Sequence, residues 1–431
     1  MKSQKTLYPR PLVFVTLILL FSDCSDTCTV TNSYVYYQPV YSTAAEIKAA
    51  VTFKDPQPMS QPGKIYFKDK TLFINETGKG IHIIDNTNPS SPKSLGFLAI
   101  PGNYDLAILG NTLYADSYID LVAFDISNIS AIHEISRIER LFNHNSPMGL
   151  TYNPQVGILT DWKKVSTITI EENDCKKVMQ PWGGMYYSDG IALSASSSFS
   201  PQSAVAPNSN TGIGGSMARF TIANKHLYAL DSYYMDVVDI SNQSDTKAKN
   251  EIQLTWQAET LFPVKSSLFI GTKSGMYIYN IESPASPVLL SKFEHVRSCD
   301  PVVVEGDYAY VTLRGGTSCG GYSNQLDVVN IKDLTKPVLE ETYLMKNPHG
   351  LGIENGTLFI CDGSDGLKVY DASDVHSISK HQLAHYDKIN AFDIIPYQNI
   401  AMMIGSEGLY QYDYSDLKNI KLLSTLSIVK Q

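Results

Sequence analysis

The chain has 431 residues, 43% of them hydrophobic, and a formal charge of −9 from 34 basic and 43 acidic side chains. That acidity, with no basic stripe anywhere, excludes nucleic acid as a partner and disfavours anionic membrane surfaces. Six cysteines with no CxxC pair exclude a zinc ribbon and a thioredoxin-type centre.

The first element is an export signal. Lys2, Lys5 and Arg10 precede an apolar run from Leu12 to Phe21 that is too short to span a bilayer and is followed by no stop-transfer pattern. Cys24 stands just beyond it, so residues 1–23 read as a lipoprotein signal peptide and Cys24 as the acylated N-terminus. Asp23 departs from the small-residue box expected there; Cys28 is a weaker candidate, and plain secretion with both cysteines removed or paired is the alternative. Cleavage before Cys24 removes three cations and Asp23, which deepens the charge to −11. Residues 24–57 form a tether. Its Tyr34, Tyr36, Tyr37 and Tyr41 argue for packing as a strand or helix against the ring, with a helical turn around Ala44 to Ala50.

From about residue 58 to 431 one phrase recurs: an apolar strand, a polar turn, a second apolar strand ending in Asp or Asn. In chain order it appears at Thr71–Ile74 with Gly80–Asp85, and at Thr112–Ala115 with Leu121–Asp125. A degenerate copy follows at Val156–Leu159 with Val165–Ile170. Then come Leu227–Ala229 with Met235–Asp239, Leu268–Ile270 with Gly275–Asn280, and Tyr308–Val311 with Leu326–Asn330. The last two are Thr357–Asp362 with Gly366–Asp371, and Ala401–Ile404 with Gly408–Asp413. The spacing is about 41 to 49 residues, interrupted by one insertion, which is the signature of four-stranded propeller blades. A short run such as Pro301–Val304 supplies an inner strand, and a run such as Pro287–Ser291 an outer one. The fold expected is all-β, a β-propeller with eight blades, or seven if the degenerate copy is a loop. The Asp or Asn closing each copy is expected to bind the amides of the turn that follows.

The insertion runs from about residue 173 to 215. It opens with Trp182, Tyr186 and Tyr187 on a Gly/Ser frame and closes with Thr211-Gly212-Ile213-Gly214-Gly215. Aromatic side chains on such a frame suit stacking on a sugar or gripping a protein; a mobile lid or a plug over the channel is the equal alternative. Its Gly-rich end lacks the lysine of a phosphate loop. Cys299 precedes the first strand of its blade and Cys319 follows the second, so a disulfide between them is reasonable. Cys175, at the mouth of the insertion, is free or paired, and Cys361 packs as a small apolar residue.

In a propeller the first strand of each blade lines the channel. Asp105, Glu259, Asp300 and Asp393 all lie where the chain leads into such a strand, and so do Arg219 and His349. They are expected to converge near one mouth, as a polar ring for a cation, a sugar or an anion held by Arg219. Calcium or magnesium would suit oxygen ligands better than zinc. The competing expectation is that these carboxylates face water or cap backbone amides. Asp362-Gly363-Ser364-Asp365-Gly366 has part of a calcium-loop pattern without its downstream Glu, and reads as the hairpin turn of its own copy. No other cofactor is indicated, and there is no zincin helix and no GxSxG elbow.

The strands Ile81–Asp85, Met235–Asp239 and Leu367–Asp371 resemble the Leu-Val-Ile-Val-Asp-like strand that names the LVIVD-repeat family. The resemblance is closest to cell-surface lipoproteins of Bacteroidota-type bacteria, and Cys24-Ser25-Asp26 is similar to the acidic start that sends some of them to the outer face. It implies a propeller of undefined biochemical role and carries no catalytic residues. The leading expectation is a non-enzymatic surface lipoprotein, at the outer membrane or cell surface, that presents loops to a protein or glycan partner and touches membrane only through its lipid anchor. The alternatives are a hydrolase or lyase at the channel mouth, with Asp105, Asp300, Asp393 and His349 as acid–base candidates, and a passive envelope scaffold.

Overall fold

A strand buried on both faces must be apolar throughout, and the repeated phrase is. The computed structural model describes residues 30–142, 152–172, 202–203, 211–255, 257–294, 301–316 and 323–429. Its contacts divide the chain into two units, Met1–Gln38 with Trp162–Leu193, and Pro39–Asp161 with Ser194–Gln431.

The second unit is the propeller. Blade 1 uses Pro62–Lys68, Thr71–Glu76, Gly80–Asp85 and Lys93–Ala99, and blade 2 uses Leu106–Leu109, Thr112–Ser117, Asp120–Asp125 and His133–Ile138. Blade 3 is Phe220–Ala223, His226–Asp231, Tyr234–Asp239 and Lys247–Gln253, and blade 4 is Ala258–Val264, Ser267–Thr272, Gly275–Asn280 and Val288–Glu294. Blade 5 follows with Val302–Glu305, Tyr308–Leu313, Gln325–Asn330 and Val338–Leu344. Blade 6 is Leu351–Glu354, Thr357–Cys361, Leu367–Asp371 and Gln382–Tyr386, and blade 7 is Ala391–Tyr397, Ile400–Gly405, Gly408–Asp413 and Lys421–Ser427. All pair antiparallel in chain order. Burial follows radial position. The second strand of blade 2, Thr112–Ser117, is buried at every residue, whereas the outer strand of blade 3, Lys247–Gln253, is exposed at all but one. Each fully buried Leu, Ile or Phe between blades contributes about 1.5–3 kcal/mol over its exposed state.

The ring closes with seven blades among the described residues. The seven inner strands pack side by side in an unbroken cycle, blade 2 directly against blade 3 and blade 7 directly against blade 1. The eighth copy takes no place in it. Val165–Ile170 does not return on Val156–Leu159, because Gly157–Glu172 is one continuous strand; it pairs with Val30–Ser42 on one side and Tyr152–Asn153 on the other. The seven-blade alternative is therefore the one the ring realises, and the chain between blades 2 and 3 is one long insertion from Glu139 to Arg219.

The Asp or Asn at the end of each third strand behaves as the sequence suggested. Asp85, Asp125, Asp239, Asn280, Asn330, Asp371 and Asp413 each accept a hydrogen bond from the amide two residues on, at 2.7–3.1 Å. These turns dock on the neighbouring blade: Ser291 Oγ donates to Leu334 O at 2.6 Å and Ser424 Oγ to Pro89 O at 2.6 Å. Among the described residues no strand is shared between blades 7 and 1. The seam is held by Asn86 and Gln411, whose buried amides exchange two hydrogen bonds of 2.8 Å, and by the Phe67–Tyr397 ring contact at 5.5 Å.

Within the same unit, a helix at Ala44–Ala50 is started by a capping box in which the Thr43 side chain accepts from the Glu46 amide and the Glu46 carboxylate from the Thr43 amide. Its Ile47 packs on Ile119 and Ile158. Thr52–Lys54 then adds to the outer edge of blade 1, opposite Phe97–Ala99. The described part of the first unit is a ribbon of Val30–Gln38 and Trp162–Glu172. Among the described residues no helix is long and apolar enough to cross a membrane.

Candidate functional site

The inner strands leave a central channel, and the chain itself enters it. Residues 211–219, the end of the insertion, run along blade 1 and then cross towards the other blades. Ile213 and Gly214 pair with Phe67 and Tyr66, and the Gly215 amide donates to Ile65 O at 2.8 Å. On blade 2, the Gly212 amide donates to Ile108 O at 3.2 Å. The Ser216 amide reaches Asp393 Oδ1 of blade 7 at 2.9 Å, while Ser216 Oγ accepts from the Leu351 amide of blade 6. Ala218 O accepts from the Leu261 amide of blade 4 at 3.1 Å. One short segment thus ties five blades to blade 3. Ile213, Ser216, Met217 and Ala218 are all buried. Of the two readings of the insertion, its closing end is a plug.

Two glycines make this possible. A Cβ on Gly215 would lie 2.2 Å from Asp393 Oδ2, and one on Gly350 would lie 2.4 Å from Asp393 Oδ1. Asp393 is therefore gripped between two backbones that approach closer than any side chain permits.

The lead-in residues named from sequence do gather here. Asp105 binds Lys64 Nζ at 3.3 Å, accepts from the Leu106 amide at 2.7 Å, and accepts from the Arg219 amide. Lys64 Nζ also donates to Met217 O of the plug. Lys64 feels the charges of Asp105, Arg219 and Asp393, and burial pulls its ammonium below the ordinary lysine range, with Asp105 opposing. Asp393 is fully buried, which pushes its carboxyl well above the usual range; among the described residues Oδ2 has no hydrogen-bond partner. Glu259 lies 3.7 Å from Lys273 and is raised by burial, against the pull of Lys273 and Arg314. His349 sits beside Arg314, whose Nη1 is 3.0 Å from the ring, and burial together with that guanidinium lowers it to about 3. It is a neutral imidazole at physiological pH.

Asp105 and Asp393 thus cap backbone amides, the bland reading of the two, although neither faces water: they are 1% and 0% exposed. Asp300, Trp182, Tyr186, Tyr187, Cys24 and the Cys299–Cys319 pair lie outside the described residues. Cys361 is a buried free thiol, pushed up by burial. Sequence reasoning missed Lys64, Arg314 and Asp116. Asp116 braces the loop leading into blade 2 by accepting from the Asn103 side chain and the Tyr104 and Asp105 amides at 2.7–2.9 Å, and burial raises it to about 6. The available signal was the Thr211–Gly215 glycine run, which marks close backbone approach. The Asp362–Gly366 turn holds a cation of its own: Lys368 Nζ lies 2.5 Å from Asp362 and 2.7 Å from Asp365. Among the described residues, no three His, Cys, Asp or Glu side chains are placed to hold a metal ion.

LVIVD repeats are found in three regions of the chain, residues 102–139, 214–251 and 297–345. These ranges coincide with blades 2, 3 and 5 and the loops leading into them, so one repeat is one blade. No curated protein matches the sequence. Among solved structures, the chain is similar to the computationally designed Ika8 protein at 9% identity and a TM-score of 0.50, over 88% of this chain and 91% of that one. It is also similar to the periplasmic gluconolactonase PpgL of Pseudomonas aeruginosa, at 10% identity and a TM-score of 0.50, over 88% and 97%. At such identities the likeness is one of fold.

Proposed function

We propose that this protein is an exported, lipid-anchored interaction module, of the kind found among Bacteroidota cell-surface lipoproteins, whose propeller presents its loops to a protein or extracellular glycan. The observation that carries this reading is the plug. The channel mouth, where propeller enzymes would gather reacting groups, is filled by residues 211–219, and its carboxylates hold that segment in place. What remains for a partner is the loop surface, and the aromatic residues Trp182, Tyr186 and Tyr187 of the insertion, which suit stacking or gripping by their sequence, are the candidates to engage it. The leader with Cys24 supports a lipoprotein at the outer membrane, and the acidic balance argues against nucleic acid.

A hydrolase or lyase at the mouth would need two accessible carboxyl groups near a proton donor. Asp393 is enclosed, with burial pushing its carboxyl well above the usual range, and burial with the Arg314 guanidinium lowers His349 to about 3. The test is a thermal-shift screen of the protein against glycans, calcium and other divalent cations, since a native-state ligand raises apparent stability by mass action. A glycan shift lost in Trp182→Ala and kept in His349→Ala supports the module. A calcium or small-molecule shift lost in His349→Ala or Asp105→Asn refutes it and places a ligand site at the mouth.

A further inference from the structure

A charge buried between blades needs an opposite charge or a set of hydrogen bonds. The blades meet that need at one recurring place, the end of the second strand and the position diagonally across from it on the third. In blade 1 the two residues are Glu76 and His82, with Oε2 3.1 Å from Nε2, and in blade 6 they are Asp362 and Lys368, 2.5 Å apart. In blade 5 only the third-strand position is acidic, and Asp327 accepts from the Gln325 side chain at 2.8 Å and from Thr342 Oγ1 at 2.7 Å.

Blade 3 puts acids at both positions. Asp231 lies opposite Tyr234 and Ala229 opposite Asp236, so Asp231 and Asp236 are diagonal neighbours on one face of the hairpin. On the outer strand Glu251 lies opposite Asp236, at the place Thr342 takes in blade 5. Asp231 and Asp236 are 0% and 3% exposed, and among the described residues Asp236 Oδ2 has no hydrogen-bond partner. The charges of described residues that act on Asp236 are those of Asp231 and Glu251, both of its own sign. The cations of the outer strand are engaged elsewhere, Lys249 with Asp239 at 3.5 Å and Lys247 with Asp245 at 2.7 Å. Ala229 and Val238, on the same face as Asp236, pack in the core shared with blade 2. On that blade Asp116 feels Arg219 and Asp105, Asp120 pairs with Arg137 at 2.8 Å, and Tyr114 feels burial alone.

Two carboxylates enclosed side by side cannot both ionise readily. We infer that Asp231 and Asp236 hold one proton between them, and that this acid pair is a pH-sensitive latch where blade 3 receives the plug. The residue next to the pair makes the connection: the Leu230 amide donates to Arg219 O at 3.0 Å, and Leu230 O accepts from Arg219 Nη2 at 2.7 Å. On the other side Ser232 O accepts from the Ala258 amide of blade 4 at 2.8 Å. Burial and then the two neighbouring acids raise Asp236 to about 8, a value that belongs to the pair. Above it the pair takes a second charge and pushes the hairpin apart beside the end of the plug.

The folded state keeps a proton that the unfolded chain has released. Stability therefore falls as pH rises from about 4, the ordinary aspartate value, to about 8, and levels off beyond. In the full chain, the folding equilibrium read from denaturant midpoints should lose up to about tenfold per pH unit in that window relative to Asp236→Asn. Asp231→Asn should shorten the window from its upper end, because the acid that remains loses its like-charged neighbour. Hydrogen exchange of the parent, corrected for intrinsic rates, should show protection of the Leu230 amide falling above about pH 8, and Asp236→Asn should hold it. A pH slope equal in the parent and Asp236→Asn, a window unchanged in Asp231→Asn, or Leu230 protection indifferent to pH overturns the inference. So does a rise in stability with calcium that Asp236→Asn abolishes, since the pair then holds a metal ion instead of a proton.

Discussion

Gly215 and Asp393 provide a sharp test of the plug. In Gly215→Ala the new Cβ stands 2.2 Å from Asp393 Oδ2 and 2.8 Å from Ile65 Cγ2, so one of them must shift within a packed channel. Overpacking of this kind costs about 1–3 kcal/mol. Asp393→Ala removes the acceptor of the Ser216 and Ile394 amides, which bond to Oδ1 at 2.9 Å. Leaving buried amides unsatisfied costs about 1–3 kcal/mol each. In the double variant the methyl introduced at position 215 enters the space the carboxylate vacates, so most of the Gly215→Ala penalty disappears. The expected coupling is about 1–3 kcal/mol, read from denaturant midpoints in a double-mutant cycle, with fluorescence and circular dichroism required to coincide. Asp393→Asn is the control: it keeps the bulk and the Oδ1 acceptor, and Gly215→Ala should cost as much in that background as in the parent. Additivity within about 0.5 kcal/mol in the alanine cycle would refute the geometry.

Further outcomes are expected elsewhere. Gln411→Leu strands the buried Asn86 amide at the seam and should cost about 1–3 kcal/mol, while Asn86→Leu with Gln411→Leu should recover much of it, as denaturant midpoints will report. Lys368→Met leaves the buried Asp362 carboxylate without its cation and should destabilise by about 3 kcal/mol, read from denaturant midpoints. Asp239 is held down to about 2 by the hydroxyl and amide of Ser241, and Asp85, Asp125, Asp371 and Asp413 are lowered in the same way by their own turns. A lowered carboxylate stabilises the fold above its unfolded value and loses that contribution as pH falls through the folded one. Melting temperature should therefore drop steeply between about pH 4 and pH 2, and Asp239→Asn, which keeps the acceptor without the charge, should flatten that slope. A slope unchanged in Asp239→Asn would count against the turn as its source.

The blades were legible because the repeat writes its physics locally: apolar runs for strands buried on both faces, and an Asp or Asn for each turn. The eighth copy was misread because apolar spacing alone does not make a hairpin. True copies turn between their second and third strands at a residue of positive φ, such as Gly78, Tyr118, Ser232 or Gly363 within the turn or Gly408 at the start of the third strand. Nothing of that kind stands between Ile158 and Ile170, where Asp161-Trp162-Lys163-Lys164 simply continues the strand. The site was legible as a list and not as an arrangement. Asp105, Arg219 and Asp393 could be placed at the starts of inner strands from their position in the repeat. That a remote segment would enter the channel and bind them depends on contacts such as Ser216 with Asp393, which no repeat encodes.

A propeller whose blades are each built from one contiguous stretch of chain has no shared strand to lock its first and last blades. Something else must hold the seam. Asn86 with Gln411 and Phe67 with Tyr397 act at the seam itself, but they join only two blades. The plug joins blades 1, 2, 4, 6 and 7 to blade 3 through hydrogen bonds, so opening the ring anywhere strains several of them together. This is why polar residues that look like a ligand ring lie buried. A segment crossing a channel cannot form a regular ladder with every strand it meets, and its orphan amides need acceptors where it crosses. Asp105 and Asp393 are those acceptors, and Lys64 offsets the charge that Asp105 brings into a water-poor interior. Their position in the repeat and their burial have one cause, which is closure of the ring.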